Sequence, residues 1–343
     1  MYNSADVFEY LKETLFFNSW QLVADQDNFS ETETIIPVTL LEGFLNEHII
    51  LIKSKSEELM CLSNVCTHRG NLLVKEKCKL NQLVCKYHGR RFDLKGQFIS
   101  MPEFKEVCNF PSDEDHLKKL AVFTWGKLIF TSLHPKVEAK EIFGEIQERL
   151  HWFPMDKLIL QKSKCRDYPI ESNWALYCEN YLEGFHIPFV HAGLNDVLDF
   201  GEYTTELFPY SNLQIGIAKD GDDCFELPES SIDYGKKIAG YYFWAYPNLM
   251  LNFYPWGLSV NIVKPTGVNQ CKVCYLTYVF EEKENFTGAG GDLHTVEMED
   301  EEIVESVQLG VQSRLYSHGR YSVNREQGTH HFHRLLSESL KAL

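Results

Sequence analysis

The sequence predicts an α+β protein of two domains: a small β domain, then a larger one in which helices flank an antiparallel sheet. Three observations carry this reading. From residue 35 onward the apolar residues fall in short runs, such as Ile49-Ile50-Leu51-Ile52, Leu83-Val84-Cys85 and Val122-Phe123-Thr124-Trp125, separated by glycines and Asn/Asp clusters. Beyond His134-Pro135, helical periodicity gives way to long strands, including Leu249-Met250-Leu251-Asn252-Phe253-Tyr254. At 343 residues the chain can bury two modest cores.

The elements follow in order. Residues 1–34 read as a helical segment (Val7, Leu11, Leu15, Phe16) leading to Trp20, expected to pack with the larger domain. Residues 35–135 form the β domain. Residues 136–343 form the larger domain, with a helix over Ile142–Leu150, a helical stretch over 172–187 and strands between 240 and 281. Residues 281–292 are expected to be a solvent loop, and a last helix runs over 298–316. The glycines of Thr287-Gly288-Ala289-Gly290-Gly291 follow no strand and open no helix, which argues against a dinucleotide site.

Composition narrows the function. With 33 basic and 49 acidic residues the formal charge is −16, which opposes nucleic-acid binding and suits docking to a basic redox partner. No apolar run approaches the ~18 residues of a membrane span, and Met1-Tyr2-Asn3-Ser4-Ala5-Asp6 lacks the basic start of a signal peptide. Ten cysteines are present, most of them among apolar neighbours like buried free thiols, so a reducing, cytoplasmic setting is expected. Cys271-Lys272-Val273-Cys274 has metal-like spacing but no second pair.

Chemistry begins with Cys66-Thr67-His68 and Cys85-Lys86-Tyr87-His88. Two thiolates and two imidazoles match a Rieske [2Fe–2S] centre, with cysteines on one iron and histidines on the other. Neutral imidazoles remove negative charge, raising the potential from about −400 mV toward roughly −150 to +300 mV. Structural zinc is the rival, since it also accepts this donor set. A zinc finger, however, pairs Cys with Cys and His with His, whereas each half here mixes them. Gly70 and Gly89 also follow the two pairs, letting the loops approach a cluster closely.

A second metal site is predicted in the larger domain. On a helix, Glu179, Glu183 and His186 share a face. Pro188 is expected to break the ladder and swing His191 back toward His186. The plainer alternative is a pair of structural histidines at a helix end. A cluster that delivers single electrons, however, needs an acceptor, and two histidines with one carboxylate form the facial triad of non-haem Fe(II) oxygenases. The carboxylate comes from the last helix. Its apolar stripe is Ile303, Val304, Val307 and Val311, and at ~100° per residue Asp300 falls in phase with that stripe. Glu297 is the near competitor, while Glu299, Glu301, Glu302 and Glu305 point sideways or outward.

Together these residues resemble the α subunits of the Rieske non-haem iron oxygenases over nearly the whole chain. The resemblance makes Cys66, His68, Cys85 and His88 the cluster ligands, and His186, His191 and Asp300 the ligands of a mononuclear Fe(II). It implies a β-sandwich Rieske domain and a helix-grip catalytic domain, assembled as a homotrimer. Most of the family carries aspartate three residues before the first iron histidine, bridging to a cluster histidine of the neighbouring subunit. Glu183 stands there in this chain, as in members acting on choline, carnitine and glycine betaine. Residues 179–183, 246–252, 305–310 and 331–334 are similar to that branch too. The implied activity is O2-dependent hydroxylation of a small molecule, with His88 meeting Glu183 across the interface. Glu183 would also orient His186. Electrons would come from a separate flavin/iron–sulfur reductase, NAD(P)H entering only through that partner, because the chain has no flavin or NAD fingerprint of its own. A quaternary ammonium substrate needs aromatic faces. Tyr241, Tyr242, Trp244, Phe253, Tyr254 and Trp256 are candidates, although sheet core is the plainer reading of each. An aromatic-acid oxygenase is the alternative activity. A non-enzymatic Rieske carrier would leave the larger domain unexplained.

Overall fold

Short β-branched and aromatic runs from Gln21 to Ser132 pair into antiparallel ladders, and the computed structural model, which describes residues 1–29 and 31–341, shows two units. One unit is Phe17–Lys136; the other is Met1–Phe16 with Val137–Leu343. Helix α1 (Ala5–Thr14) starts at Ser4, whose side chain accepts the Val7 N–H. It belongs to the larger unit, and Phe16 packs edge-on against Trp174 with ring centroids 4.9 Å apart. The expected 1–34 segment is therefore divided. Its second half supplies strand β1 (Gln21–Asp25), which pairs within the smaller unit.

The smaller unit continues through β2 (Thr34–Leu40), β3 (Glu47–Lys53), β4 (Leu59–Ser63), β5 (Cys78–Lys79), β6 (Leu83–Val84), β7 (Arg91–Phe92), β8 (Phe98–Ser100), β9 (Lys119–Trp125) and β10 (Leu128–Ser132). One sheet has the order β1-β10-β9-β4-β3-β2-β5, and a second is β6-β7-β8. The continuous run Ile49–Ile52 is buried on both faces, as its central place in the first sheet requires. Ile35, Ile50, Ile52, Leu62, Leu83 and Phe92 form a core that extends to Cys66 and Cys85.

In the larger unit, α2 (Ala139–Arg149) precedes β11 (Ile159–Leu160) and β12 (Arg166–Ile170). Helices α3 (Trp174–Tyr181), α4 (Ile187–Val190) and α5 (Ala192–Val197) follow. The main strands are β13 (Thr204–Leu207), β14 (Ser211–Ile217), β15 (Ile238–Ala245), β16 (Leu249–Tyr254), β17 (Gly257–Gly267) and β18 (Gln270–Val279), and α6 (Leu293–Val311) and α7 (Gln327–Leu340) close the chain. The antiparallel sheet has the order β11-β18-β17-β16-β15-β14-β13, with β12 also on β18. Alternation divides its aromatics between two faces. Tyr241 and Phe253 meet Trp152, Phe153 and Phe225 on one face, while Trp244 meets Phe332 of α7 on the other. Among the described residues no helix is long and apolar enough to cross a membrane.

Four expectations change here. The stretch 172–187 is not one helix: α3 ends at Tyr181, and Pro188 opens α4 instead of breaking a longer helix, occupying a first-turn position where no N–H is needed. The last acidic helix spans 293–311, because Asp292 caps it by accepting the Thr295 N–H at 3.0 Å. Helix α7 was not anticipated; its buried stripe of Thr329, Phe332, Leu335 and Leu336 is interleaved with histidines and polar residues. The 281–292 segment is not all solvent loop, since Ala289 and Gly290 are buried. Cys271 and Cys274 lie three apart on β18, so their side chains point to opposite faces and cannot chelate together.

Candidate active site

The two Cys/His loops fold alike. After each, a glycine with positive φ (Gly70 +68°, Gly89 +72°) turns the chain back. The Gly70 N–H donates to the Cys66 carbonyl at 3.0 Å, and the Gly89 N–H to the Cys85 carbonyl at 2.9 Å. Both cysteines are buried, whereas His68 is half-buried and His88 exposed. The imidazoles converge, with their Nδ1 atoms 3.2 Å apart. Burial raises the Cys66 thiol. Burial also acts on Cys85, but the N–H groups of Tyr87 and His88, the Cys66 thiol and the Asn71 amide lower it below the ordinary thiol value. Two interacting thiols facing inward and two imidazoles facing outward fit a [2Fe–2S] group, and amide donors aimed at sulfur are what such a group requires. Beneath the second loop, Arg90 is buried, donates to Asp115 Oδ1 at 2.5 Å and lies over the ring of Phe98.

The second constellation is in the larger unit. The chain leaves α3 in a tight turn through Leu182, Glu183 and Gly184. The Glu183 carboxylate accepts the N–H groups of Phe185 and His186, fixing the turn that leads into α4. The same carboxylate accepts from His186 Nδ1 at 2.8 Å. His191, at the end of α4, has Nδ1 2.7 Å from Glu299 Oε2. Carboxylates accept, so each ring can donate from Nδ1, which would free both Nε2 atoms to act as ligands to a metal. Those two Nε2 atoms are 3.1 Å apart, and Asp300 Oδ1 lies 3.0 Å from that of His191 and 3.7 Å from that of His186. Three acceptors therefore converge. Donor atoms ~2.1 Å from one ion and mutually perpendicular lie about 3 Å apart, so this set fits a divalent metal. Burial opposes protonation of His191, but Asp300 and then Glu299 outweigh it and raise its pKa.

Asp300 is held in place by the Asn180 amide, which donates to Oδ1 at 2.6 Å. Glu297, the near competitor, is turned away from the acceptors. It is fully buried and accepts from the Tyr177 hydroxyl at 2.5 Å and from Tyr275. Burial pushes Glu297 up to about 8, despite both tyrosine hydrogen bonds. Glu299 corrects the sequence reading. It does not point idly sideways but reaches His191.

A cavity opens onto the three acceptors. Tyr181, Tyr203, Tyr242 and Tyr254 wall it, with Gln214, Asn252 and Asn261 as polar lining and Ile187, Leu194, Leu293 and Val296 as apolar lining. The rings of Tyr203 and Tyr242 stack at 6.4 Å, and Tyr254 stands at 73° to Tyr242. Of the six aromatics proposed from sequence, Tyr242 and Tyr254 line this cavity. Tyr241, Trp244 and Phe253 are core, and Trp256 stacks behind Tyr254 and on Phe286. Tyr181 and Tyr203, outside the strand run, were missed. No residue lining the cavity, among those described, is Lys or Arg.

Comparison with known proteins matches both units to known domain families. Residues 19–111 match the Rieske [2Fe–2S] domain family, and residues 159–342 match the ring hydroxylating alpha subunit (catalytic domain) family. The chain is 30% identical to the chloroplastic choline monooxygenase of Arabidopsis thaliana, covering 99% of this chain and 82% of that protein. It is 27% identical to the carnitine monooxygenase oxygenase subunit of Escherichia coli K12, covering 99% and 92%. A solved quaternary ammonium Rieske monooxygenase aligns with TM-score 0.77 at 25% identity, over 98% of this chain and 93% of that one. Naphthalene 1,2-dioxygenase from Rhodococcus shares the fold, with TM-score 0.71 at 17% identity over 98% and 93%. The chain therefore belongs to the ring-hydroxylating α subunits, as a Rieske oxygenase that combines a [2Fe–2S] domain with a mononuclear-iron catalytic domain.

Proposed function

We propose that this chain is the oxygenase component that hydroxylates a quaternary ammonium compound, with Cys66, His68, Cys85 and His88 holding the cluster and His186, His191 and Asp300 holding Fe(II). When bound, these groups supply single electrons and a site for O2 reduction. The residues do the rest. Glu183 and Glu299 hold the Nδ1 protons and so aim both Nε2 lone pairs at one point. Asn180 orients the Asp300 carboxylate. Ile187, Leu194, Leu293 and Val296 keep the cavity wall apolar and restrict water.

The observation that carries the substrate class is the tyrosine wall beside a cavity with no Lys or Arg among its described lining residues. Ring faces attract a cation that cannot donate hydrogen bonds, and such a site gives an aromatic carboxylate no countercharge. The names of the choline and carnitine relatives support the same class. The test is reductase-coupled O2 uptake with choline, carnitine, glycine betaine and benzoate. Uptake with an ammonium substrate is expected; turnover of benzoate alone would overturn the reading.

An oxygenase component implies a separate reductase. We also propose that the working assembly is a homotrimer in which His88 of one subunit meets Glu183 of the next. The exposure of His88, and of Phe185 and Phe189 beside Glu183, supports this. Two inactive variants, Cys66→Ser and His186→Ala, are then expected to recover activity when co-assembled; inactivity of the mixed oligomers would refute the exchange. A cytoplasmic location accords with the free thiols of the cysteines other than Cys66 and Cys85.

A further inference from the structure

Gln214 sits on β14 with 1% of its surface exposed and lines the cavity. Its Nε2 donates to the Tyr181 carbonyl at 2.6 Å. A carbonyl can only accept, so the orientation of the amide is fixed. Oε1 is then buried and has no hydrogen-bond partner. Two other cavity amides already accept hydrogen bonds. Asn252 Oδ1 accepts from the Tyr181 hydroxyl at 2.7 Å, and Asn261 Oδ1 accepts from Ser259 at 3.1 Å. Of the amide oxygens of Gln214, Asn252 and Asn261, that of Gln214 is thus the one with no partner. Gln214 pairs directly with Tyr242 across β14 and β15, so the acceptor stands one strand away from a ring of the wall.

We propose that Gln214 is a specificity residue whose Oε1 accepts a hydrogen bond from a substrate hydroxyl, so that the site selects carboxylate-free ammonium alcohols over ammonium carboxylates. This rests on the quaternary ammonium reading above. Directly opposed side chains on neighbouring strands have Cβ atoms about 5 Å apart. A hydroxyl two carbons from a quaternary nitrogen spans a comparable gap, putting the cation on Tyr242 and the O–H on Gln214. A carboxylate has no proton for Oε1 and would find no Lys or Arg among the described lining residues to pair with. Tyrosine hydroxyls could donate to it, but they carry no countercharge. A carboxylate buried there without a cationic side chain to pair with is disfavoured. A site built for a hydroxyl discriminates against an analogue without one, because its own polar group is then left unpaired.

The experiment is calorimetric binding to the intact holoenzyme of choline, ethyltrimethylammonium (the same cation without the hydroxyl) and glycine betaine. Wild type is expected to bind choline roughly 10-fold or more tighter than ethyltrimethylammonium, with glycine betaine weakest. Gln214→Leu is expected to bring choline and ethyltrimethylammonium to parity while still binding both. Parity in wild type, glycine betaine binding tighter than choline, or an unchanged ratio in folded Gln214→Leu would each overturn the proposal. The wild-type comparison stands even where the variant fails to fold. If all three compounds bind alike, the ammonium reading survives and only the role of Gln214 falls. If none binds, both fall together.

Discussion

Glu299 and Glu183 act through the histidines they hold, so their loss should be read in metal binding before turnover. Glu299→Ala is expected to weaken mononuclear iron binding ~10–100-fold while the cluster absorbance stays unchanged, and Glu299→Gln to retain most of the affinity. Iron titration with cluster absorbance as internal control decides this; unchanged affinity in Glu299→Ala would remove the role. Glu297 makes a prediction of a different kind. Its pKa rises on folding from an ordinary 4.5 to about 8, so the folded protein binds a proton that the unfolded chain does not. Stability therefore falls as pH rises from about 4.5 to about 8 and levels beyond. Glu297→Gln, neutral at every pH, should melt higher than wild type at pH 8, with the difference vanishing near pH 4.5. At this scale the sequence was informative where chemistry and phase coincide. Asp300 could be chosen from the stripe of α6, and it lies with His186 and His191. Phase describes only the direction in which a side chain leaves its helix. It could not reveal that Glu299 has the reach to meet His191, nor that Tyr203 would fold over Tyr242 from outside the strands.

The turn between α3 and α4 decides how far the helices can be trusted as units. Gly184 sits where a Cβ would come within 2.5 Å of the Tyr203 ring. Gly184→Ala should therefore displace Tyr203, destabilise the protein by about 1–3 kcal/mol and weaken cation binding. Thermal unfolding and cation titration together test this; a variant with wild-type values for both would show that the turn tolerates the contact. At the start of α6, Asp292→Ala should cost about 1 kcal/mol through loss of the cap, read from the same melts. The strands were readable because alternation and β-branched runs are local. Helix α7 was not, because its histidines and polar residues hide a narrow apolar stripe that only α3 and the sheet reveal. The α3 break was misplaced for a similar reason. Pro188 is a strong breaker in a helix interior but is well tolerated in a first turn, and here the preceding helix has already ended at Tyr181.

Across the larger unit, Arg149 of α2 joins segments distant in sequence. It donates to Asp233 Oδ2 at 2.7 Å and to Glu206 Oε1 at 2.9 Å. Asp233 is almost fully buried, so Arg149→Met would leave its carboxylate with Lys236 and the Tyr241 hydroxyl alone. A loss of about 3 kcal/mol is expected from chemical denaturation. The α+β class and the order of the two domains follow from patterning alone. The division near Phe16 did not, because Gln21–Asp25 is too short to declare itself a strand before it meets Leu128–Ser132.

The geometry of the three acceptors also sets a timetable. His186 and His191 are five residues apart, but Asp300 and Glu299 come from a helix more than 100 residues later. During synthesis the ribosome releases the two histidines well before the carboxylates that complete their site. For several seconds, at ~5–20 residues per second, the nascent chain carries only half a binding site. If these residues hold the iron as proposed, tight loading waits until α6 has emerged and docked. The small unit, whose four donors lie within 23 consecutive residues, has no such delay.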